Sequence, residues 1–142
     1  MQLTRFTDLG LRIVMRLAVE GPGTQARTDD LATQLCVSYA HSTKVVARLV
    51  ALGTVESARG RHGGICITPV GLQQRVGELA RQLEGGGEVV DCDGANPCPL
   101  RQGCRLRAAL RTAQESFYMS LDQWTVAEIA RPAVHPKIER NS

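Results

Sequence analysis

Aromatic residues are scarce: they make up 4% of the 142 residues, with one Trp, two Tyr and two Phe. A core without them is built from Leu, Val and Ala, and such a core predicts a mainly α fold. Long apolar runs are missing too. No stretch approaches the roughly 18 residues needed to cross a bilayer, so no membrane partner is expected. The start, Met1-Gln2-Leu3-Thr4-Arg5, lacks the charged and apolar regions of a signal peptide. The chain therefore reads as cytoplasmic. Charge of one sign is nearly balanced, with 17 Lys and Arg against 14 Asp and Glu, a formal +3. That permits a nucleic-acid partner without requiring one. There is no Gly-rich cofactor loop and no Cys–His pairing, so an enzyme is not expected.

What is present suits one domain with an appended helix, with 43% hydrophobic residues. Five cysteines, an odd number in a reducing compartment, argue for metal or redox chemistry over disulfides. Three of them, Cys92, Cys98 and Cys104, are equally spaced as C-x5-C-x5-C. Gly94, Pro97, Pro99 and Gly103 lie between or beside them and break regular structure. An irregular loop lets three sulfurs converge on one point. A helical pattern follows over 104–121, which puts Cys104 near a helix N-terminus. The partial positive charge there lowers a thiol pKa and favours an anionic group. Arg101, Arg105, Arg107 and Arg111 crowd the same stretch. Three thiolates suit an iron–sulfur cluster. Zinc is the second reading, although its motifs usually contain close pairs such as C-x2-C and none occurs here. Three unrelated reduced thiols are the third.

The first helix is expected over 7–19, with Thr7 as its cap and Leu9, Ile13 and Leu17 on its apolar stripe. Asp8 falls in its first turn. There it is either a carboxylate favouring the helix dipole or a metal ligand. Arg12, one turn later, either pairs with Asp8 on the surface or orients it for a metal. A second helix is expected over 28–37, capped by Thr28. Cys36 at its end reads as a small buried apolar residue.

A short turn at Val37-Ser38 leads into a third helix over 39–52, with Val45, Val46, Leu49 and Leu52 inward. Ser38, Tyr39, His41, Ser42, Lys44 and Arg48 form its polar, basic outer side. Two helices with a tight turn between them make a helix-turn-helix, whose second helix enters the major groove of double-stranded DNA. Two alternating segments, 55–58 and 65–68, then flank a Gly-rich turn carrying Arg59, Arg61, His62 and Gly63. A basic hairpin after a helix-turn-helix is a winged helix, and its tip can reach phosphates or the minor groove. Segment 38–64 holds Lys44, Arg48, Arg59 and Arg61 against Glu56, which accounts for the whole formal charge of +3. Cys66 is given no role.

A fourth helix is expected over 69–84, with Val70, Val76, Leu79, Ala80 and Leu83 inward despite Gly71 and Gly77. The helix after Cys104 carries Leu106, Ala109, Leu110, Ala113, Phe117 and Leu121 at helical spacing. One winged helix reads only half of a site. A symmetric homodimer with this helix at its interface sets two reading heads about 34 Å apart. Thr125 caps a final short helix over 126–130. The chain thus divides into a DNA-binding domain (1–84), a cluster-binding loop (85–104), a dimerisation helix with the short final helix (105–130) and a loose tail (131–142).

Three motifs carry a resemblance that covers residues 3–130: Leu3-Thr4-Arg5-Phe6-Thr7-Asp8, Arg59-Gly60-Arg61-His62-Gly63-Gly64, and Cys92 through Cys104. With them the chain resembles the NsrR/IscR family of iron–sulfur winged-helix regulators. Within it the nitric-oxide-sensing repressors are the nearer match. IscR-type members carry a histidine ligand shortly after the third cysteine, where this chain has Arg107. The resemblance instead implies Asp8, from the other subunit, as the fourth ligand beside the three cysteines. It also implies a 4Fe–4S cluster (a 2Fe–2S cluster in the IscR-type alternative) and nitric oxide as the signal that releases operator DNA. Zinc that fixes the loop without any sensing is the remaining alternative.

Overall fold

The computed structural model describes residues 1–131. Most of the expected tail, with Pro132, His135 and Pro136, lies outside the described residues.

Helix α1 spans Arg5–Glu20. Its cap is Thr4, not Thr7: Thr4 Oγ accepts from the Thr7 N–H at 3.2 Å. Thr7 itself is fully buried one turn in. The Thr4 N–H also donates to Glu84 at 2.7 Å, so the entry to α1 is fixed from across the domain. Leu9, Ile13, Val14 and Leu17 recur every three to four residues and are all buried.

Helix α2 spans Thr28–Gln34 and is shorter than expected. Thr28 is its first helical residue; Arg27 precedes it and offers no side-chain cap. The helix closes with Cys36 N–H bonded to Thr33 O at 3.2 Å and Val37 N–H to Ala32 O at 3.0 Å. That pair of bonds is a Schellman closure, which places Cys36 where glycine normally sits. Cys36 accordingly has φ 55° and is exposed, which corrects the buried reading. A left-handed conformation costs a residue with a Cβ about 1–2 kcal/mol, and glycine gives part of that back in unfolded-state entropy. Cys36→Gly is expected to stabilise the protein by about 0.5–1 kcal/mol, read as a higher urea midpoint. Cys36→Ala, which keeps the strain and loses only the thiol, should leave the midpoint in place.

Helix α3 spans Tyr39–Ala51. Ser38 caps it, accepting from the His41 N–H at 3.2 Å. Val45, Val46 and Leu49 are buried against α1. Strands β1 (Val55–Ala58) and β2 (Gly64–Ile67) pair antiparallel, with Val55 opposite Ile67 and Ala58 opposite Gly64. Ala26 and Ile65 exchange two backbone bonds of 2.8 Å and anchor the hairpin to the α1–α2 connection. Thr68, expected in the second strand, instead caps the next helix through the Gly71 N–H at 2.9 Å.

The expected helix over 69–84 is two helices, α4 (Pro69–Gln73) and α5 (Val76–Glu84). The break has a tertiary cause. Val76 N–H donates to Trp124 O at 2.9 Å, and Val126 N–H donates to Gln74 O at 3.0 Å. Residues 74 and 75 leave the helix, and the bonds on either side of them make this bridge. Val70, expected inside, is exposed, because nine residues at helical spacing put it half a turn around from buried Leu79. Both glycines of the segment mark close approaches: a Cβ on Gly71 would strike the Thr54 carbonyl, and one on Gly77 the Tyr118 carbonyl.

Helix α6 spans Arg105–Leu121 and α7 spans Val126–Ala130. Thr125 caps α7, as the sequence predicts, and the structure adds a reciprocal box with Glu128. One core joins α1, α2, α3, the hairpin, α5 and α7 through Leu31, Val55, Ile67, Leu79, Leu83 and Val126. Each such side chain contributes about 1.5–3 kcal/mol on full burial. Helix α6 packs on α5 through Tyr118 and otherwise lies at the edge.

Candidate DNA-reading face and cysteine loop

The exposed side of α3 presents Ser38 at its cap, then Tyr39, Thr43, Lys44 and Arg48. His41 is half-buried, edge-on to the Phe6 ring with centroids 6.3 Å apart. Ser42 does not belong to this face. It is fully buried, and its hydroxyl donates to the Ser38 carbonyl at 3.0 Å. Thr43, which the sequence reading passed over, takes the outward place one turn after Tyr39. The spacing of four residues from Tyr39 was the available signal. Arg48 turns back across the domain and donates to the Gln82 carbonyl at 3.2 Å, so its charge sits over the end of the face. In the hairpin, Arg59, Arg61 and His62 are exposed at the tip. The Gly63 N–H closes the turn onto Gly60 O at 3.0 Å.

Asp8 and Arg12 lie on the outer side of α1. Arg12 Nε donates to Asp8 Oδ1 at 2.8 Å, and the carboxylate raises the guanidinium pKa. Both side chains are about half exposed. They line one cleft with Arg5, Leu9, Val37, Ser38 and His41. The far wall of that cleft is the turn of the helix-turn-helix and the first turn of α3. Any group seated on Asp8 is therefore adjacent to the reading head.

The cysteine loop runs from the end of α5 to α6. Cys98 N–H bonds Cys92 O at 3.0 Å, and Arg101 N–H bonds Cys98 O at 3.2 Å. Cys104 is the N-cap of α6, its Sγ accepting from the Arg107 N–H at 3.5 Å. All three thiols are free and half-buried. Burial pushes the Cys92 thiol up, with the nearby Arg107 charge opposing it. Arg107 and Arg111 together hold Glu88 down at about 2.

Among the described residues no three His, Cys, Asp or Glu side chains converge closely enough to hold one metal ion. The expected meeting of three sulfurs at one point is thus not drawn in this chain by itself. Nor does any hydrogen bond or ion pair join Asp8 to the loop. The donor chemistry nevertheless fits an iron–sulfur group. Three unpaired, half-buried thiols lie on one irregular loop, one of them is held at a helix N-terminus, and Arg101 and Arg107 are beside them. The long helix that follows leaves Leu106 and Met119 exposed at 67% and 58%.

A helix-turn-helix with a basic wing, leading into a long helix at the edge of its core, defines a winged-helix transcription regulator. The chain matches the Rrf2 family, described as iron-dependent transcriptional regulators, over residues 3–132 and belongs to that family. It is 51% identical over 137 residues to the HTH-type transcriptional repressor NsrR of Streptomyces coelicolor, covering 96% of this chain and 93% of that one. It is 34% identical to NsrR of Bacillus subtilis over 92% of this chain and 91% of that one. Among solved structures, the oxidized form of Staphylococcus aureus CymR matches 95% of this chain and all of its own length with a TM-score of 0.71 at 19% identity. IscR of T. potens matches 91% of this chain and 85% of its own with a TM-score of 0.68 at 20% identity. The protein is a transcriptional repressor of this family, and such regulators are not enzymes. Among the described residues no helix is long and apolar enough to cross a membrane.

Proposed function

We propose that this repressor senses nitric oxide. It binds double-stranded operator DNA as a homodimer and holds a 4Fe–4S cluster through Cys92, Cys98 and Cys104 of one subunit and Asp8 of the other. The observation that carries this reading is the cleft that Asp8 and Arg12 share with Val37, Ser38 and His41. The absence of a histidine near the third cysteine, where Arg107 stands, favours it over the IscR-type alternative.

When bound, the cluster supplies an iron that nitric oxide can attack. The rest belongs to this chain. The thiolates anchor the group to the loop at the start of α6. Asp8, a harder ligand than thiolate, is the more easily displaced. Arg12 orients the Asp8 carboxylate through its 2.8 Å bond. Asp8 ties the first helix of one subunit to the loop of its partner, and that tie fixes the spacing of the two reading heads. Its loss lets the heads shift. The switch works only as far as the two states differ in operator affinity. The exposed side of α6, with Leu106, Ala109 and Ala113, supplies the symmetric contact.

An anaerobic titration tests this: absorbance and iron–sulfide content followed against nitric oxide in the presence of labelled operator DNA. The cluster band should bleach in step with DNA release. A colourless zinc protein, or bleaching that leaves DNA bound, would replace this reading with a structural metal module or an iron-status regulator.

On the DNA side, Tyr39, Lys44, Arg48, Arg59, Arg61 and His62 carry the contacts. Arg61→Ala removes one exposed charge at the wing tip. It is expected to weaken binding to all sequences and to lower the slope of log K against log salt by about 1, measured by fluorescence anisotropy over a salt series.

A further inference from the structure

A loop rich in Gly and Pro does not hold itself, and residues 87–103 contain neither helix nor strand. Gln114 holds its start, donating from Nε2 to the Gly87 carbonyl at 2.6 Å, and Arg107 fastens the stretch around Cys92. Arg107, in the first turn of α6, donates from Nε to Glu88 Oε2 at 2.7 Å and from Nη2 to Glu88 Oε1 at 3.1 Å. Nη2 also reaches Asp93 Oδ2 at 2.6 Å. Glu88 precedes Cys92 in the chain and Asp93 follows it. Glu88, Cys92, Asp93 and Arg107 all line one cleft. The side chains of Arg107 and Glu88 are only 21% and 27% exposed, against 58% and 52% for the Arg12–Asp8 pair. This ion pair is therefore screened less than an ordinary surface one. Arg111 adds a second cation on Glu88. Arg101 approaches Asp93 from within the loop at 3.7 Å.

We propose that Arg107 is the positioning residue of the cysteine loop: its fork clamps Glu88 and Asp93 and so holds Cys92 beside the turn of α6 that Cys104 caps. Arg107 is not itself a ligand, because a guanidinium stays protonated and offers no lone pair. The proposal rests on the reading that the loop holds an iron–sulfur group. The shape of the fork matters as well as its charge. A guanidinium can meet three carboxylate oxygens at fixed angles, whereas a lysine ammonium is a point charge on a flexible stem.

The test uses the full chain with Arg107→Ala, Arg107→Lys and Glu88→Gln. In metal-free, reduced protein, alkylation of each cysteine is followed by mass spectrometry over a pH series and expressed per thiolate, because loss of the Arg107 charge by itself lowers the thiolate fraction of Cys92. Cys92 should react several-fold faster in all three variants, while buried Cys66 stays slow and reports an intact fold. After anaerobic reconstitution, the variants should lose iron to a chelator about 10–100-fold faster than the parent. An unchanged Cys92 rate in Arg107→Ala overturns the clamp. Full rescue by Arg107→Lys overturns the fork and leaves charge alone. If the parent takes up no iron–sulfur group, the functional reading fails, and the alkylation rates still decide the clamp.

Discussion

An Asp8→Ala protein should lose most of the difference in operator affinity between its iron-loaded and metal-free forms. Coupling between two sites in such switches typically spans about 5–150-fold in affinity. Removing the tether should collapse that range toward unity. The change is clean because Asp8 contributes little to the monomer. Its side chain is half exposed and its one ion pair is an i,i+4 contact with Arg12. The cap of α1 is Thr4, which stays. Folding, the wing and α3 should be unaffected, so binding to non-specific DNA should match the parent. Three thiolates remain, so iron should still load, although less durably. Anisotropy of labelled operator with loaded and metal-free protein measures the ratio directly. A variant that keeps its iron, grips operator and answers nitric oxide as the parent does would leave Asp8 a surface carboxylate.

The winged helix was legible because its signals are local. The 3.6-residue stripes of α1 and α3, the turn at Val37-Ser38, the Gly-rich hairpin turn and the Thr125 cap each sit within a few residues. What escaped is set by distant partners. The stripe Val76, Leu79, Leu83 continues the period of the preceding helix, so nothing in 69–84 announces a break. The break comes from Trp124 and Val126, some fifty residues on. Thr4 and Thr7 are equally good caps by type, and the bond to Glu84 helps decide between them. Ser42 looked outward-facing by composition, yet its hydroxyl is satisfied by its own helix, which lets it be buried. At the candidate site, the cysteine spacing and the place of Cys104 near a helix N-terminus were readable; that it caps α6 was not. The Glu88–Arg107 pair, nineteen residues apart, was not. Nor does a sequence reveal that Asp8 shares a cleft with the turn before α3.

Gly77→Ala is expected to destabilise the protein by about 3 kcal/mol, the upper end of what overpacking usually costs. The new methyl would meet the Tyr118 carbonyl and the Asp122 carboxylate. Neither can yield. The carbonyl belongs to the backbone of α6, and Asp122 Oδ1 accepts from the Glu78 N–H at 2.8 Å, capping α5 where Arg75 offers no side-chain bond. Tyr118 is buried beneath Arg81, whose guanidinium carbon lies 4.8 Å from the ring centre and whose Nη2 reaches Glu115 at 2.6 Å. The two helices can separate only by breaking this whole contact. Gly10 makes the control. A methyl there meets the Leu83 Cδ1 at 2.7 Å, the flexible end of a side chain that can rotate away, so Gly10→Ala should cost only about 1 kcal/mol. Thermal unfolding followed by circular dichroism separates the two, with Gly77→Ala melting about 10 °C below the parent. Equal losses in the two variants would show that α6 is free to move off α5. The position also bears on the switch, because α6 carries Cys104 and Arg107 while α5 belongs to the core beneath the reading head. At temperatures where Gly77→Ala remains folded, α3 and the wing keep their charges. Salt-sensitive binding to any DNA should then persist while the iron-dependent gain for operator shrinks. That combination is the outcome expected if the loop speaks to the reading head through rigid helices.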